Sequence, residues 1–102
     1  MAALQLLRLT CINPATSFGD DIRLTVDDEE AGGEFGIDKG QTHDLSAFVF
    51  NDLDEEAATV TVFEDGDHVT DLDISLARSG RKKTEFPVKE GGFYRLVSRV
   101  TA

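Results

Sequence analysis

The stretch ATVTVFEDGDHVTDLDISL, residues 58–76, decides the fold. Ala58, Val60 and Val62 alternate with Thr59, Thr61 and Phe63, and Leu72, Ile74 and Leu76 alternate with Asp71, Asp73 and Ser75. A period of two is the signature of a strand with one buried face. The acidic FEDGDHVTDLD (63–73) between them is therefore a strand-to-strand connection, and Asp65-Gly66 supplies a turn dipeptide.

The same alternation runs outward in both directions. Leu7, Leu9 and Cys11 share one face of a first strand, and Ile22, Leu24 and Val26 one face of a second. DDEEAGG (27–33) turns that strand back into EFGI, a hairpin. Lys39-Gly40 leads into THDLSAFVFND, where Phe48 and Phe50 share a face. Ser79-Gly80 opens KKTEFPVKE, which Pro87 pushes towards a sheet edge, and Glu90-Gly91-Gly92 turns the chain into FYRLVSRV. Turn signals at this spacing, with no helical period, predict an all-β fold. We expect one domain over residues 1–102, an antiparallel β-sandwich of seven or eight strands, with a small closed β-barrel as the alternative.

Composition narrows the function classes. The net charge is −10, so nonspecific nucleic-acid binding is not expected. The charge is uneven: residues 1–77 hold eighteen acids against three bases, whereas residues 78–102 hold seven bases against two acids. Twelve Asp against four Lys also suits a protein adapted to high salt. A single cysteine, Cys11, favours a reducing compartment, and MAALQLLRLTC has no positive segment ahead of its apolar run. We expect a soluble, cytoplasmic protein. No nucleophile elbow, phosphate loop or Cys-His motif is present, so we do not expect an enzyme.

The acidic connection admits two readings. One is a solvated turn; the other is a site for a hard cation, which needs several converging oxygens. Asp65, Asp67 and Asp73 lie at i, i+2 and i+8 in VFEDGDHVTDLDISL. This order resembles the third calcium-binding loop of the C2 domain family, the calcium-dependent phospholipid-binding sandwiches of protein kinase C and synaptotagmin. SFGDDIRLTV is similar to the end of that family's first calcium loop. The family's earlier acid in that loop has no counterpart, because the corresponding stretch reads NPAT. The resemblance implies a sandwich, and Ca²⁺ held by Asp65, Asp67 and Asp73 together with Asp20 or Asp21. It also implies that a basic strand, here Arg81, Lys82 and Lys83 beside Arg78, contacts anionic head groups of a membrane surface. The reading from a different class is a metal-independent acidic module, of inhibitor, immunity or assembly type, binding a basic protein partner.

Overall fold

In the computed structural model, which describes residues 1–102, alternating apolar residues give ten strands. They are β1 (Ala2–Asn13), β2 (Asp20–Val26), β3 (Glu29–Glu30), β4 (Phe35–Ile37), β5 (Thr42–Asp44), β6 (Val49–Leu53), β7 (Ala57–Glu64), β8 (Asp67–Ser75), β9 (Gly80–Pro87) and β10 (Phe93–Thr101). One sheet runs β5-β1-β10-β9, with β6 also on β1; the other runs β3-β2-β7-β8, with β4 also on β2. All pairings are antiparallel. The fold is thus an antiparallel sandwich of two separate sheets rather than one closed barrel. Ten strands exceed the expected seven or eight because two edge positions are each broken in two, β3 with β4 and β5 with β6. The ten segments fill eight strand positions.

The core lies between the sheets. It is built from the inward residues of each alternation, Leu24, Val60 and Val62 from one sheet and Leu4, Leu9 and Leu96 from the other, all fully buried. The alternation in β1 has a fault that its sequence hides. Leu4 and Leu6 are buried, then Leu9 and Cys11, so Leu7 does not share their face. A bulge between Leu6 and Arg8 in the pairing with β10 shifts the parity by one.

Turn chemistry fixes the connections. Asp65 and Gly66 have φ of 51° and 85°, and Glu64 pairs with Asp67, so β7 and β8 are joined by a two-residue turn with both central φ positive. The expected DDEEAGG turn is shorter than its sequence suggests. Asp27 and Asp28 alone make the reversal, Glu29 and Glu30 already pair back on β2, and Gly32-Gly33 carry the chain on to β4. Gly32 has φ of 87°, and a Cβ there would stand 2.5 Å from the Phe48 ring, so the glycine is needed for both backbone and packing. Phe48 and Phe50, on one side of their segment as expected, both pack against the core. Strand β9 is an edge strand with Pro87 at its end, also as expected.

Candidate functional site

The end of the sandwich that carries the β1–β2 loop, the β7–β8 turn and the β9–β10 turn collects most of the candidate ligands. Pairing of β2 with β7 sets Ile22 beside Glu64, and the Asp65 amide donates to the Asp21 carbonyl at 2.8 Å. Asp20 and Asp21 therefore do lie beside the acidic turn. Asp73 does not. It sits on β8 opposite Thr59, six residues from Asp67, which at strand rise is about 20 Å.

Asp20 is only 4% exposed, and its oxygens face inward. Oδ2 accepts from the Ala15 amide at 2.7 Å, Oδ1 from the Thr16 amide at 3.1 Å, and the Tyr94 hydroxyl also donates to Oδ2. These donors fold the β1–β2 loop over the carboxylate. Tyr94 is fully buried, and burial followed by its bond to Asp20 pushes its phenol well above the usual tyrosine range. Cys11, its partner across the β1–β10 ladder, is a buried free thiol that burial likewise pushes up.

Two residues outside the sequence motifs complete this end. Glu64 continues the inward face of Ala58, Val60 and Val62 and is only 4% exposed. Burial, with Asp20 as the next cause, raises its carboxyl above the ordinary glutamate range. Lys89, in the β9–β10 turn, places its ammonium 2.7 Å from Asp67 Oδ2 and 3.7 Å from Glu64 Oε2. The hydrogen bond from Lys89 holds Asp67 below the usual carboxylate range, and the same bond raises Lys89. Asn13 Nδ2 donates to the Gly91 carbonyl at 3.0 Å and ties this turn to the end of β1. The positive charge among these acids belongs to the chain itself.

The five acids are not gathered into one cluster. Asp20 is committed to the loop, Asp67 to Lys89, and Asp73 is at a distance; nowhere do three His, Cys, Asp or Glu side chains gather so as to hold a metal ion.

The charged faces lie elsewhere. On the outside of the second sheet, Thr61 Oγ1 donates to Asp71 at 2.8 Å and Thr59 Oγ1 to Asp73 at 3.2 Å. His68 joins Asp71 at 3.1 Å. The Thr61 and His68 contacts hold Asp71 below the usual carboxylate range. Asp27 Oδ1 accepts the Thr59 amide at 2.9 Å, which holds the turn whose two central residues, Asp27 and Asp28, both have positive φ. Together Asp27, Asp28, Glu55, Thr59, Thr61 and Asp71 line an open depression of about 440 Å³ with no apolar residue and no cation in it.

Six of the ten basic residues, Arg8, Arg81, Lys82, Lys83, Arg95 and Arg99, are on the first sheet. Strand alternation separates the predicted trio: Phe86 points into the core, so Arg81, Lys83 and Glu85 point outward, while half-buried Lys82 takes the inward parity at the edge. Arg81 pairs with Arg99, and Lys83 with Val97, which in turn pairs with Arg8. Arg95 is neutralised by Glu85 at 2.7 Å, but Arg8, Arg81, Lys83 and Arg99 make no ion pair.

No protein-family profile matches the sequence, and no curated protein matches it. Among solved structures, one titled "Structure of a C2 domain" aligns over 99% of this chain and 97% of that chain, with a TM-score of 0.56 and 13% identity. Near-complete coverage of both chains means that the whole sandwich is shared, not one hairpin. The fold of this chain is C2-like.

Proposed function

We propose that the chain is a non-catalytic binding module that works without calcium and engages a basic protein partner through the acidic depression on the second sheet. The observation that carries this reading is the lining of that depression, four carboxylates from Asp27, Asp28, Glu55 and Asp71 with no Lys or Arg among them. Two of them, Asp27 and Asp28, form the tip of a two-residue hairpin turn with both φ positive, which fixes their carboxylates at the rim of the depression. Uncompensated charge on a rigid sheet steers an oppositely charged partner and adds mainly on-rate and specificity. Calcium independence is supported by the internal cation, Lys89, and by the commitment of Asp20 to its loop. Titrating an oligolysine peptide into labelled protein while recording amide shifts tests the reading. Shifts should map to residues 27, 28, 55, 59, 61 and 71, weaken with salt, and vanish in Asp27→Asn/Asp28→Asn/Glu55→Gln. Shifts spread over all acidic turns alike would refute a defined site.

A second reading is favoured by the shared outward direction of Arg8, Arg81, Lys83 and Arg99: contact of the first sheet with an anionic membrane surface. Each cation near such a surface contributes about 1 kcal/mol, against a net charge of −10 that opposes approach. Co-sedimentation with phosphatidylserine vesicles, with Arg81→Gln/Lys83→Gln as the control, tests it.

A further inference from the structure

Two open sheet edges lie on one side of the sandwich. Strand β9 ends the first sheet and β8 ends the second, and only residues 76–79 separate them in sequence. So short a link, crossing sheets stacked about 10 Å apart, keeps the two edges side by side and runs them in opposite directions. Each edge is long, nine residues in β8 and eight in β9, and an unpaired edge is a template for another strand. Their charges are opposite: β8 presents Asp71 and Asp73 on its outer face, and β9 presents Arg81 and Lys83 on its outer face.

We propose that two copies of the chain form a twofold dimer in which β8 of each copy pairs antiparallel with β9 of the other. A twofold axis parallel to the strands inverts the order of the sheets, so the first sheet of one copy meets the second sheet of its partner. One axis therefore makes both junctions, as a closed isologous contact requires. In the antiparallel register that sets Leu72 against Lys82, Asp71 faces Lys83 and Asp73 faces Arg81, all four on the continuous outer face. The alternative pairings are repulsive. Strand β8 on β8 in the corresponding register sets Asp71 against Asp73, and β9 on β9 sets Arg81 against Lys83, and like charges directly opposite destabilise a ladder. The acidic and basic edges thus exclude their own kind and accept each other. The occupant is a second copy because it alone brings both complementary edges in the required order and direction.

Sedimentation velocity on the full chain, over a concentration series at low ionic strength, tests this. The wild type should show a concentration-dependent dimer that loosens as salt is raised. Arg81→Glu/Lys83→Glu makes both edges acidic and should weaken the dimer roughly 5- to 600-fold, since four cross-strand pairs of about 1.5- to 5-fold each are lost. Asp71→Lys/Asp73→Lys makes both edges basic and should do the same. An equimolar mixture of the two variants should dimerise again, because every junction then joins an acidic edge to a basic one. Circular dichroism checks that each variant is folded; should the Asp71/Asp73 variant lose too much from its broken threonine contacts, the Arg81/Lys83 variant alone decides. A wild type that stays monomeric at submillimolar concentration and low salt, or a folded charge-reversed variant that dimerises as well as wild type, overturns the proposal. A mixture of folded variants that stays monomeric overturns it as well.

Discussion

Replacing Tyr94 by Phe tests how the β1–β2 loop is held. The substitution removes one hydroxyl from a fully buried ring and leaves its packing on Phe86, 6.0 Å between ring centroids, intact. Asp20 keeps the Ala15 and Thr16 amides and loses the third of its donors. A hydrogen bond to a carboxylate contributes about 1.5–3 kcal/mol, and both partners are buried, so solvent does not screen it. For a domain of this size that range corresponds to a melting midpoint lower by about 6–24 °C. Urea denaturation followed by far-ultraviolet circular dichroism at neutral pH measures it directly. Asp20→Asn should cost more, because an amide offers one acceptor oxygen where three donors converge. The two substitutions should be non-additive, since they share a bond. A loss under about 0.5 kcal/mol for Tyr94→Phe, well below a charged hydrogen bond, or strict additivity with Asp20→Asn, would refute the role given to this pair.

Other outcomes follow from the same packing. Tyr94 is the only tyrosine, so tyrosinate absorbance reads it alone. Its folded pKa is raised, so its contribution to stability is full below the unfolded value near 10 and is lost as pH climbs towards the folded value; the absorbance should appear together with unfolding, and a reversible titration of folded protein near pH 10 would contradict burial. Glu64, also raised, opposes folding once it ionises, so stability falls as pH rises from the unfolded value towards the folded one and is level above it. Glu64→Gln should therefore be at least as stable as wild type at neutral pH, and a marked loss there in urea melts would show that the Lys89 contact outweighs the burial cost. Gly32→Ala should destabilise by more than about 1 kcal/mol because it combines a positive φ with a methyl pressed on Phe48; an unchanged urea midpoint would contradict that packing.

The period-two pattern around residues 58–76 was sufficient for the sandwich, because each inward Val or Leu marks a face and the faces have to meet. It was insufficient where register shifts. Nothing in LQLLRLTC shows that a bulge turns Leu7 away from Leu9, since a bulge is set by the partner strand. The acidic end was legible in composition but not in role. Asp20 and Asp21 do stand beside Asp65, as the two loop motifs implied, yet three donors from residues 15, 16 and 94 fix what Asp20 does. Glu64 had a usable signal, its even place in the buried series Ala58, Val60, Val62. Lys89 had none, because it reaches Asp67 from 22 residues away through a turn whose position depends on the whole sandwich.

The acidic end of the sandwich carries its own cation, Lys89, on Asp67 and Glu64, and thermal melting in millimolar calcium against chelator tests most directly whether that end works without a metal. Coincident melting curves are the expected result. A bound ion at one hundred times its Kd would add about 2.7 kcal/mol. In a domain of this size that is a midpoint higher by roughly 10–20 °C, and a calcium-dependent rise of that order would contradict the account.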